Sequence, residues 1–106
     1  MIIGCDIGGV VKDMLSNDSI HDAIKTIKEF ETFGHEVIFI SKCKDGFREI
    51  IKKWLKDNDL NNSIYFCYEY SEKKDLCIKY KVNVMIDDKL QVFKEIPDSI
   101  KKFWFC

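Results

Sequence analysis

Long apolar runs are missing from this chain. The longest are of strand length, well short of the ~20 residues that a membrane-spanning helix needs. No charged start leading into an apolar stretch and a small-residue cleavage site opens the sequence, and Asp6 interrupts the one candidate. No membrane partner is therefore expected. Proline is almost absent, Pro97 being the only one, and no linker, repeat or low-complexity stretch divides the 106 residues. That length fits one domain with little left for a second module, so residues 1–106 are expected to form a single domain. An excess of charge is missing too. Lys and Arg number 17 against 18 Asp and Glu, for a net charge of -1, which gives no strong nucleic-acid signal and leaves only a local groove as a route to such binding. The five cysteines, Cys5, Cys43, Cys67, Cys77 and Cys106, form no C-x-x-C pair, and their number is odd. They read as reduced thiols of a cytoplasmic protein rather than as a disulfide framework or a zinc site.

Hydrophobic residues make up 46% of the chain and charged ones 33%, a balance that excludes a disordered segment. The apolar residues fall into short runs separated by helical periodicity. Ile2 to Ile7 reads as a strand, and Val10 to Ser19 as an irregular polar segment. Asp18 or Ser19 is expected to cap a helix running to about Phe33, with Ile20, Ala23, Ile24, Ile27 and Phe30 on one face and Gly34 as its stop. Glu36 to Ser41 is the second strand. Asp45 is expected to cap the next helix, with Phe47, Ile50, Ile51, Trp54 and Leu55 on one face. Ile64 to Cys67 is the third strand, followed by a helix from about Glu72 to Tyr80. Val82 to Ile86 is the fourth strand, Lys89 to Glu95 a short helix, and Ile100 to Phe105 the fifth strand. Trp54, Phe30 and Phe33 read as core.

Strands apolar almost throughout, alternating with helices, predict an α/β fold: a three-layer, doubly wound, Rossmann-like sheet of five mostly parallel strands. Ligands in such folds bind at the carboxyl ends of the strands, near a reversal of strand order. Asp6, Ser41 and Asp87 each fall at such an end. Asp6 then opens into Gly8-Gly9, a poor way to stabilise a fold and a good way to present a carboxylate. Each residue alone has a blander use, because strand-end Asp and Ser are commonly turn or cap residues. The three together point to one metal-dependent site.

The order of motifs resembles the haloacid dehalogenase-like hydrolase superfamily over nearly the whole chain. An apolar strand followed by D-x-D-G-[TV] corresponds to Asp6-Ile7-Gly8-Gly9-Val10. An apolar strand ending in Ser or Thr corresponds to Val37-Ile38-Phe39-Ile40-Ser41. A lysine before the last catalytic strand corresponds to Lys73 or Lys74, and an apolar strand ending in D-D to Val84-Met85-Ile86-Asp87-Asp88. The resemblance implies a Mg²⁺-dependent phosphatase. Asp6 would be the nucleophile that forms an aspartyl-phosphate, and Ser41 would bind a phosphate oxygen. Lys73, favoured over Lys74, would neutralise transition-state charge. The metal would be held by Asp6, the main-chain carbonyl of Gly8, and Asp87. Lys74, Asp88, Gly9 and Lys42 are supporting residues. The chemistry is coherent, since a phosphate monoester repels an anionic nucleophile and Mg²⁺ removes that repulsion with only one or two carboxylates from the protein.

Two departures shape the expectation. Gly8 replaces the aspartate that, in typical members, protonates the leaving alkoxide, so alkyl phosphates should be poor substrates. No insertion after Val10 or Ser41 is large enough for a cap domain, so the chain resembles a capless member, with the 5′-nucleotidase-like branch a plausible neighbour. The implied partner is a phosphorylated small molecule or a macromolecular phosphate end, and a homo-oligomer is one way to close an open site. The alternative is a binding or scaffold protein that keeps the site shell without efficient chemistry. A phosphoacceptor receiver domain fits poorly, because its acidic pair comes early and here it comes late. A dinucleotide-binding fold lacks its glycine fingerprint.

Overall fold

The computed structural model describes residues 1–105; Cys106 lies outside the described residues. Five strands form, β1 (Ile2–Cys5), β2 (Glu36–Lys42), β3 (Ile64–Cys67), β4 (Val84–Asp87) and β5 (Lys101–Trp104). They make one sheet in the order β3-β2-β1-β4-β5, and every pairing is parallel. The helices are α1 (Ala23–Thr32), α2 (Asp45–Asp57), α3 (Glu72–Lys79) and the single turn α4 (Leu90–Phe93). No helix among the described residues is long and apolar enough to cross a membrane.

Side chains alternate across the sheet and feed two cores. On one face Ile3, Cys5, Val37 and Phe39 pack with Ile27 of α1 and Trp54 and Leu55 of α2. On the other, Ile38, Ile40 and Met85 pack with Cys77 of α3 and Val92 of α4. The first face is incompletely covered. Beyond α1, β4 and β5 leave a groove of about 370 Å³, lined by residues that include Val84, Ile86, Phe103 and Phe105.

The chain starts at the centre of the sheet, winds outward through β2 and β3, then returns to the other side of β1. The reversal sets the carboxyl ends of β1 and β4 side by side. From there the chain leaves β1 for α1 on one face and β4 for α4 on the opposite face, so a crevice opens between them. The three longer helices end alike. Gly34, Asp59 and Lys81 adopt positive φ, and the next amide in each case bonds back five residues: His35 to Phe30, Leu60 to Leu55 and Val82 to Cys77. This left-handed stop turns each helix into the following strand or its approach.

Several boundaries differ from the sequence expectation. Neither Asp18 nor Ser19 caps a helix. Lys12 and Ser19 instead form an antiparallel bridge, and Ile20 donates its amide to the Val11 carbonyl at 2.7 Å. This pins a small hairpin, so α1 starts only after Asp22, whose φ is 61°. Phe33, expected in the core, is exposed, as are Phe47 and Ile50 of α2. Asp45 is the first residue of α2 and not its cap. Its carboxylate instead accepts the Tyr68 hydroxyl at 2.7 Å.

Candidate active site

The site begins with the turn after β1. The amides of Val10, Val11 and Lys12 all point at the Ile7 carbonyl, at 3.2, 2.9 and 3.0 Å. Such a tight loop needs a left-handed residue, and Gly9 supplies it at φ +82°. A Cβ at Gly9 would also run into Asp88 Oδ2. Gly8 is different, because a Cβ there would meet only Met14 Cγ at an ordinary 3.6 Å. The loop holds Asp6 at the edge of β1, where its amide extends the sheet to the Ile86 carbonyl at 3.0 Å.

Lys73 is the centre of the arrangement. It lies in the first turn of α3, is 1% exposed, and reaches under the sheet edge. Its Nζ donates to Asp6 Oδ1 at 3.1 Å and to Asp87 Oδ2 at 2.7 Å. Asp87 is fully buried, and its other oxygen accepts the Lys89 amide at 3.0 Å. Lys74 joins no ion pair with these carboxylates among the described residues.

One oxygen from each of Asp6, Asp87 and Asp88 lies within 4.8 Å of the others. Asp88 Oδ1 is buried with no hydrogen-bond partner. An orphaned carboxylate oxygen in such a cluster is costly unless a cation satisfies it. The donor set, hard carboxylate oxygens alone, fits a hard divalent cation such as Mg²⁺. The electrostatics agree. Burial pushes the Asp6 carboxyl up to about 7, with Lys73 opposing the rise and Asp87 adding to it. Burial works against the Lys73 charge, but Asp6 and Asp87 outweigh it and hold the ammonium above its ordinary range.

Ser41 sits on the same edge in β2, buried, outside the hydrogen bonds of the lysine–carboxylate cluster. Lys42 is exposed, with Nζ 4.7 Å from the centre of the Tyr70 ring; Lys73 Nζ lies 5.9 Å from that same ring. Tyr70 is not legible in the sequence, because it shares the segment after β3 with Tyr68 and no spacing tells the two apart. Beside the loop stands the hairpin of residues 12–19, with Met14 next to Gly8 and Gly9 and Leu15 98% exposed at its tip.

Solved structures with this architecture are known. A chain of the Pnkp1/Rnl/Hen1 RNA repair complex superposes with a TM-score of 0.77 at 18% identity, over 97% of this chain and 41% of that one. D,D-heptose 1,7-bisphosphate phosphatase from B. bronchiseptica, complexed with magnesium and phosphate, gives 0.65 at 12% identity, over 95% and 90%. The enzyme of that name from Burkholderia thailandensis gives 0.61 at 8% identity, with the same coverage. The chain has the haloacid dehalogenase-like fold. It spans about two fifths of the repair-complex chain and most of each phosphatase. No family model and no curated protein matches the sequence. With this haloacid dehalogenase-like fold, the chain places its acidic cluster at the carboxyl edge, between the two central strands.

Proposed function

We propose that the chain is a Mg²⁺-dependent phosphomonoester hydrolase with Asp6 as nucleophile. The observation that carries this reading is the convergence of three carboxylates and one buried ammonium at the strand-order reversal. Asp6, Asp87 and the Gly8 carbonyl would hold the ion, with Asp88 in support. Bound Mg²⁺ supplies the positive charge that lets an anionic carboxylate approach an anionic ester.

The residues then have distinct tasks. Lys73 engages one Asp6 oxygen and leaves the other for phosphorus. A bond forms from that oxygen to phosphorus as the ester P–O bond breaks, and the leaving oxygen departs with the electron pair. Lys73 and Ser41 stabilise the charge gathering on the phosphoryl oxygens. Water then attacks phosphorus of the aspartyl-phosphate, releasing inorganic phosphate and regenerating Asp6. Gly8 offers no proton to the leaving oxygen, so aryl and acyl phosphates should turn over faster than alkyl phosphates.

The neighbours named for RNA repair and for a sugar bisphosphate make a nucleic-acid phosphate end and a sugar phosphate the natural first substrates to try. The test is Mg²⁺-dependent phosphate release from an aryl phosphate. Release is expected from the native chain, and none from Asp6→Asn. A null result across aryl phosphates, nucleotides, sugar phosphates and nucleic-acid ends would overturn the hydrolase reading. It would favour a phosphate-binding or scaffold protein, the reading that Gly8 supports.

A further inference from the structure

The hydrolase chemistry leaves one conspicuous group beside the site without a task. Trp104 ends β5 in register with Asp87. Its indole N–H donates to the main-chain carbonyl of Asp88 at 3.2 Å, which ties the ring to the backbone of one member of the carboxylate cluster. The residue is nevertheless 51% exposed. Its strand neighbours Phe103 and Phe105 line the groove on the other face of the sheet and do not cover it. A rigid, half-exposed indole is a large apolar surface held ready for contact.

The rim of the site makes such a surface useful. Among the described residues it presents Met14 of the hairpin beside Gly8 and Gly9, Tyr70 with Lys42 on the Lys73 side and Trp104 on the Asp88 side. Of these, the indole offers the largest flat surface. Building on the hydrolase reading, we propose that Trp104 seats a planar heteroaromatic part of the leaving group, so that the substrate class is nucleoside phosphomonoesters. A flat base covers an indole face fully, whereas a sugar ring in its chair form touches it through a few C–H groups. Two sources share this chemistry, a free nucleotide and the terminal nucleotide of a strand.

The test uses the full chain carrying Asp6→Asn, which halts turnover, with Mg²⁺ present. It is titrated with a nucleoside monophosphate, a phosphate-ended oligonucleotide and a hexose phosphate while tryptophan emission is followed. The first two should quench emission and the third should leave it unchanged. If only the oligonucleotide quenches, the source is a strand end. In the active chain, Trp104→Ala should raise KM for nucleoside phosphates about tenfold, the scale of one base–aromatic stack, and should raise it far more than it lowers kcat. Trp104→Phe should recover most of the loss. Quenching without turnover of any ester would support the seat while removing the hydrolase. Turnover with equal KM changes for nucleoside and hexose phosphates, or no quenching by either aromatic ligand, would overturn the seat while leaving the hydrolase standing.

Discussion

Two lysine–aspartate pairs in this chain have nearly the same length and opposite meanings. Lys53 and Asp57, one turn apart on α2, meet at 2.6 Å with most of both side chains in water. Lys73 and Asp87, on different elements, meet at 2.7 Å with both side chains buried. Water already solvates the first pair, and its lysine-first order along the helix is the weaker one, so it adds little. The second pair, with Asp6, has lost that water, so its members depend on one another. Distance does not distinguish the two; desolvation does. A buried ion cluster is a weak way to stabilise a fold, since apolar side chains of similar volume commonly do as well or better, and this is why the proposed site is sought there.

The contrast can be broken most sharply at Lys73. Lys73→Met keeps the volume and strands two buried carboxylates, so it should cost about 3–5 kcal/mol of stability and abolish phosphate release, read by urea unfolding and by the aryl phosphate assay. Gly8→Asp tests the half-open side of the site. A Cβ at this position meets only Met14, at an ordinary distance, so folding should survive. Alkyl phosphate turnover should rise, by ~10²-fold if the carboxyl serves as acid, with little change for aryl phosphates. No gain with the fold intact would remove residue 8 from the site.

A third expectation concerns pH. The Asp6 carboxyl moves from 3.8 to about 7 on folding. The fold therefore keeps this proton where the unfolded chain has already lost it. The stability it contributes is complete below the lower value and is lost as pH rises through the upper one. Relative to Asp6→Asn, the metal-free chain should weaken across that window. Mg²⁺ selects the ionised carboxylate, so it should reverse the trend and add about 2.7 kcal/mol at ~100 times its Kd. Urea midpoints with and without the ion measure both effects. The smallest effect should come from Lys53→Met, within ~0.5 kcal/mol; a larger loss would erase the distinction between the pairs.

The strand ends were readable because a parallel sheet buried on both faces leaves apolar runs with abrupt polar stops, as at Ile40-Ser41 and Ile86-Asp87. The start of α1 was hidden. Ile20 fits the helical spacing, and only the tertiary bond from its amide to Val11 removes it from the helix. Phe33, Phe47 and Ile50 show that periodicity assigns a face without guaranteeing something to cover it. Lys73 and Lys74 differ by about 100° around a helix, so the spacing to Cys77 favoured one, but only the packing of α3 shows which ammonium reaches Asp6 and Asp87. The setting of the Asp88 carboxylate against Gly9 and the bond from Trp104 to the Asp88 carbonyl join residues far apart in the chain, which no local pattern encodes.

The close approach of Gly9 to Asp88 has an evolutionary corollary. Almost eighty positions apart, the two are linked in one direction only: a side chain at the first would need a shorter neighbour at the second and also a left-handed backbone that L residues rarely adopt. Lineages descending from such a chain should therefore vary the second position more freely than the first.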